Sequence, residues 1–145
     1  FHLEILFCLK YFLLLNPLDI HVYGEGDVDA AVLNMGFSGT MMDLSSVSMF
    51  ANFEDGSSAY ISVAEMYEQE YVEIPGFGVS AEYAFEFDLS SFGSEVAEWG
   101  FFFSSLGPHT SLDAVSIQTF AGAIPAPGAL LLLGLAGARR RRRTG

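Results

Sequence analysis

Three observations predict an all-β fold, an antiparallel β-sandwich of jelly-roll-like type. Short runs rich in β-branched and aromatic residues recur along the chain, clusters of Gly, Ser, Asn and Asp punctuate them, and one run alternates apolar and acidic residues with a period of two. An apolar segment precedes this body and a short hydrophobic helix is expected to follow it. The chain therefore divides into 1–17, a body over 18–121, and a tail over 122–145.

Phe1 to Leu15 is apolar apart from His2, Glu4 and Lys10, and Asn16-Pro17 closes it. Two readings stand side by side. The length suits the apolar part of a secretory signal, so the segment is read as a remnant signal peptide. The acid at Glu4 and the lack of a small-residue cleavage site before Pro17 suit instead an element that packs on the domain. Cys8 is the single cysteine, which excludes an intramolecular disulfide and a cysteine zinc site.

The strand signals then run Ile20 to Tyr23, Ala30 to Thr40 with a kink at Asn34 to Gly36, Val47 to Phe53, Ala59 to Val63, Glu70 to Ile74, Val79 to Asp88, Trp99 to Ser104 and Ala114 to Phe120. Turns fall at Glu54-Asp-Gly-Ser-Ser58, Pro75-Gly-Phe-Gly78 and Leu106-Gly-Pro-His109. In Val79 to Asp88 the residues Val79, Ala81, Tyr83, Phe85 and Phe87 share one face, opposite Glu82, Glu86 and Asp88. That pattern predicts one buried face and one wet face. Ala64 to Gln69 and Phe92 to Glu98 are candidate helical turns. Trp99, Phe101 and Phe103 share a strand face, opposite Phe102; the phenylalanines are expected in the core, while Trp99 and the more amphipathic tyrosines Tyr60, Tyr67, Tyr71 and Tyr83 are the aromatics that can stack on sugar rings.

Charge narrows function more than fold does. The six Lys and Arg are Lys10 and Arg139 to Arg143, so Tyr11 to Ala138 holds all the acids but Glu4, 17 of 18, and no Lys or Arg. Nucleic-acid binding depends on basic side chains at phosphates, so it is excluded as a partner class. A one-signed surface attracts cations and keeps the body soluble by self-repulsion. Glu25, Asp27 and Asp29 stand at alternate positions, which in an extended segment puts three carboxylates on one side, roughly 6 to 7 Å apart. Calcium is the cation such a set would take, although the remaining ligands of an EF-hand loop are absent. Catalytic fingerprints are missing: His2, His21 and His109 lie in no recognisable motif, and Glu82 with Glu86 would share a wet face without a cleft. The expectation is a non-enzyme.

The most specific stretch is the tail. Ile124-Pro-Ala-Pro127 heads the run Gly128 to Ala138, rich in Leu, Gly and Ala, and Arg139, Arg140, Arg141, Arg142 and Arg143 follow at once. The prolines break structure before the run, and a dense arginine block holds its end on the cytoplasmic side of a bilayer. As helix, the run covers roughly 16 Å, about half a hydrocarbon core of ~30 Å, which suits a transient sorting tag better than a lasting anchor.

In order, composition and position the tail resembles the PEP-CTERM sorting signal of bacterial exported and surface proteins, in its variant with Ile-Pro-Ala-Pro at the head. Ser111 to Thr119, directly before it, looks like the closing strand that often precedes that signal in sandwich domains with carbohydrate-binding-like folds. The resemblance implies an exosortase-type membrane protease as partner, with Ile124, Pro125, Ala126 and Pro127 as the recognised motif and Arg139 to Arg143 as the cytoplasmic stop. It also implies transient insertion in the inner membrane, then the cell envelope, surface or extracellular matrix as destination. Two function classes follow: a non-enzymatic surface or matrix protein, and a lectin-like module for extracellular polysaccharide, calcium-assisted, carried by the same signal.

Overall fold

The computed structural model describes residues 19–121, and side-chain surroundings from Tyr23 onward. The N-terminal apolar segment and the tail, including the expected hydrophobic helix, lie outside the described residues. Eight strands form: β1 Asp19–Glu25, β2 Ala30–Gly39, β3 Met42–Phe53, β4 Ser58–Ile61, β5 Glu65–Ile74, β6 Gly78–Asp88, β7 Val96–Ser105 and β8 Thr110–Phe120. Each of the eight expected strands is present. No helix occurs among the described residues, so the two candidate helical turns are corrected. Ala64 to Gln69 leads into and begins β5, and Phe92 to Glu98 is loop followed by the start of β7. No helix of the described residues is long and apolar enough to cross a membrane.

The strands make two antiparallel sheets of four, in the orders β1-β7-β3-β4 and β5-β6-β2-β8. Only the β3–β4 and β5–β6 hairpins stay within a sheet, and every other connection passes between sheets. In a jelly roll the first and last strands would be neighbours; here β1 borders β7 and β8 borders β2, so the pairing departs from that pattern. Alternation along a strand says which residues face inward. It carries no information about which strand lies next door.

The core lies between the sheets. Leu33, Met35 and Phe37 of β2, Phe85 and Phe87 of β6, and Met49, Trp99 and Phe101 of β3 and β7 are essentially removed from solvent. Fully burying a side chain of this size stabilises by about 1.5–3 kcal/mol each, so these inward rows dominate the stability of the sandwich. Phe87 meets Phe101 across the layers with ring centroids 5.2 Å apart. Trp99 packs beneath Gly24, its pairing partner on β1, so closely that any Cβ there would overlap the indole ring. The kink expected in β2 is a register shift against β8 between Gly36 and Phe37, with Asp113 as the extra residue.

At one end of the sandwich three turns meet through glycines. Gly39 and Gly78 have φ of 94° and 129°, a region L side chains rarely enter, and a Cβ on Gly78 would strike the Gly39 carbonyl oxygen. A Cβ on Gly39 would likewise strike the carbonyl oxygen of His109. The β5–β6 turn, the end of β2 and the β7–β8 turn are therefore locked in one contact.

Candidate binding faces

The outward side of the β1-β7-β3-β4 sheet carries an exposed aromatic row. Strand register aligns Tyr23, Gly100, Phe50 and Tyr60 in a single row across all four strands. Tyr60 and Tyr23 are the outermost, with 79% and 61% of their surface open to solvent. Gly100 has no side chain, and Tyr23 leans across it to Phe50, edge-on at 5.8 Å between ring centroids. Phe102 completes the cluster, 5.2 Å from Phe50 and 6.5 Å from Tyr23. With strands about 4.8 Å apart, the row from Tyr23 to Tyr60 spans roughly 14 Å.

A polar row runs parallel to it, two residues along each strand: Glu25, Glu98, Asn52 and Ser58. Asn52 Nδ2 donates to Glu98 Oε2 at 3.2 Å, which holds an amide and a carboxylate in a fixed relation beside the rings. Flat aromatic faces flanked by fixed donors and acceptors suit ligands that are both ring-shaped and rich in hydroxyls. The rings in this cluster meet edge-on or tilted, so stacking surfaces are offered singly by Tyr23 and Tyr60.

At the end of the sandwich that holds the β3–β4 and β6–β7 loops, a shallow cavity of about 240 Å³ is lined by Phe53, Asp55, Ser57, Phe92, Gly93 and Ser94. Phe92 stacks on Phe53 at 5.0 Å. Asp55 joins the two loops: its Oδ1 accepts the Ser57 hydroxyl at 2.5 Å and the Ser57 N–H at 2.8 Å, and its Oδ2 accepts the Ser94 hydroxyl at 2.7 Å. These donors, the Ser57 hydroxyl foremost, pull the Asp55 carboxyl down to about 2. The two carboxylate oxygens together accept three bonds drawn from both loops, so Asp55 clamps one loop to the other.

The expected calcium ligands are placed differently from an extended row. Gly26 turns with φ of 106° between Glu25 and Asp27, and Val28 is buried between Asp27 and Asp29. Asp27 Oδ1 accepts the Val96 N–H at 3.2 Å and so ties the β1–β2 turn to β7. Among the described residues no group of three or more His, Cys, Asp or Glu is arranged to hold a metal ion. The glutamate pair also differs from expectation: Glu82 is exposed, but Glu86 is buried, with 7% of its surface open to solvent. On β7, Phe101 and Phe103 are in the core as expected, and Trp99 is buried with them, so it presents no face to a sugar ring.

Sequence reasoning singled out Tyr60 among amphipathic tyrosines but missed Tyr23 and Phe50. Each is isolated in sequence, and only register between four strands makes them a row. The sorting motif Ile124 to Pro127 and the arginines 139–143 lie outside the described residues. β8 ends at Phe120, so the motif begins four positions beyond the last core strand. Compared with protein-family models, with curated proteins and with solved structures, the chain matches none.

Proposed function

We propose that this chain is an exported, non-enzymatic protein of the cell surface or extracellular matrix, sorted by its C-terminal PEP-CTERM-like signal and processed by an exosortase-type membrane protease. The observation that carries this reading is the partition of charge. Arg139 to Arg143 follow a proline-headed apolar run, while the 128 residues from Tyr11 to Ala138 contain no Lys or Arg. An arginine block of that density keeps its end in the cytoplasm, which puts the sandwich on the far side of the membrane. Residues 122–145 act as the sorting tail, and the sandwich is the cargo.

The experiment is expression behind an intact signal peptide in a host with the processing protease, beside a variant in which Pro125, Pro127 and Arg139 to Arg143 are replaced. The expected result is a shorter, surface-located product from the native tail and an unprocessed, membrane-retained chain from the variant. Identical size and location for both would reject the sorting role.

A second reading, a carbohydrate-binding module on the same signal, is favoured by the Tyr23–Phe50–Tyr60 row with its adjoining Asn52–Glu98 pair. A platform of roughly 14 Å is the length of a short oligosaccharide and longer than one sugar. Its two carboxylates favour a neutral glycan over an anionic one. Glycan-array binding that Tyr60→Ala abolishes supports this reading, and a blank array with or without chelator rejects it.

A further inference from the structure

We infer that the outward face of the β5–β6 ribbon binds divalent cations, Ca²⁺ or Mg²⁺, at two opposed pairs of glutamates. Register places Glu65 directly across from Glu86 and Glu70 directly across from Glu82. The shift between Glu68 and Glu70 returns Glu70 to the same side as Glu65. Opposed residues in an antiparallel pair have Cβ atoms about 4.5–5.5 Å apart, and like charges so placed destabilise the pairing. Two such pairs on one hairpin work against the strand they build.

Nothing in the body can neutralise them internally, because it contains no Lys or Arg. The hydroxyls that serve other acids do not serve Glu86 either. Tyr67 donates to Glu65 and Tyr83 donates to Glu68 at 2.8 Å, while Glu86 Oε1 is shut away from solvent with no hydrogen-bond partner. The groups facing Glu86 are Glu65 and Tyr67 on β5 and Val32 on β2, a strand without a titratable residue. Burial, and then the charge of Glu65, push the Glu86 carboxyl upward. A buried carboxylate without a partner binds a proton or a cation. The two compete for the same carboxylate, so acid works against the cation.

Each pair offers two carboxylates and leaves the rest of the shell to water, consistent with the lack of any three-ligand group among the described residues. Hard divalent ions accept such a shell: Mg²⁺ is commonly held by one or two carboxylates with several waters, and Ca²⁺ accepts mixed carboxylate and water oxygens. The sites are thus weak ones that fill where the ion is abundant. Their effect is to hold β5, an edge strand that gives the core no side chain, against β6.

The test is thermal unfolding of the full-length chain in non-ionic detergent, in chelator, in CaCl₂ or MgCl₂, and in NaCl of equal ionic strength. The divalent salts should raise Tm on the order of 5 °C above matched NaCl at pH 7.5, and the increment should shrink toward pH 5 as protons take the sites. Glu86→Gln and Glu82→Gln should each raise Tm in chelator and lose part of the divalent increment. Glu54→Gln, which removes the same charge elsewhere, should keep it. Should Glu86→Gln not fold, amide exchange of the native chain reads the same point: divalent ions should slow exchange in Tyr67 to Glu73 more than in β3. Equal effects of divalent salt and NaCl, or an increment lost equally in Glu54→Gln, would overturn the inference.

Discussion

Asp43, Asp55 and Asp88 each stand two residues before a serine, and each accepts both that serine's N–H and its hydroxyl: Ser45 at 3.1 and 2.6 Å, Ser57 at 2.8 and 2.5 Å, Ser90 at 2.9 and 2.6 Å. These are Asx turns, and here they stand in for the salt bridges that the body cannot make. Asp113 takes the Ser111 hydroxyl at 3.0 Å, a further local donor, whereas Asp27 takes the Val96 N–H from 69 residues away. Asp88, like Asp55, is pulled below the ordinary carboxylate range, chiefly by its serine hydroxyl. Asp55 is held at about 2 when folded against 3.8 ordinarily, so its contribution is present above pH 4 and is lost as pH falls toward 2. Asp55→Ala should therefore lower Tm at pH 6, and the gap from the native chain should close between pH 4 and pH 2 in parallel melts. A constant gap would mean that the loop clamp does not depend on the charge. The Asp-x-Ser spacing is plain in the sequence, whereas the third donor to Asp55, Ser94, comes from 39 residues away and is visible only in the fold.

Among the strands, β6 and β5 are opposites. β6 was legible because its inward set of Val79, Ala81, Tyr83, Phe85 and Phe87 is strictly alternate, and all five are buried. β5 reads as helix in its first half because Ala, Glu, Met and Gln are strong helix formers, and pairing with β6 overrides that preference. A shift of register within β5 also breaks the two-residue period from which a strand is recognised. Tyr83 joins the two strands: its ring stacks on Phe37 at 6.0 Å and its hydroxyl reaches Glu68. Burial, then the bond to Glu68, push the Tyr83 hydroxyl up to about 12, so it remains a donor at any ordinary pH. Tyr83→Phe should cost about 1 kcal/mol of stability, the usual net value of such a bond, while the core packing of the ring is kept. Denaturant unfolding measures the loss, and faster amide exchange along Glu65–Ile74 should accompany it. An unchanged midpoint would show that the hydroxyl does not hold the edge strand. The exposed edge of β5 carries Glu65, Glu68, Glu70 and Glu73, a charge barrier against edge-to-edge pairing with other chains.

Over the whole molecule, one sign of charge governs behaviour. With a formal net charge of −12, and with the positive charges gathered at Lys10 and the terminal arginines, the sandwich repels itself more than the total suggests. Raising NaCl from roughly 10 to 150 mM shortens the screening length from about 30 to 8 Å and should raise Tm monotonically. A Tm that falls with salt would mean that attractive pairs outweigh this repulsion. The sequence by itself determined the all-β class, the places of the eight strands except the first half of β5, the inward face of the core and the charge partition on which the sorting proposal rests. Each of these is written in residue type and spacing along one strand or one tail. Only the tertiary structure decided which strands are neighbours, and with that the row of Tyr23, Phe50 and Tyr60, the opposed glutamates of β5 and β6, and the burial of Glu86. Those features arise between strands distant in sequence, and the two-residue period that specifies a strand's faces is the same whichever strand lies beside it.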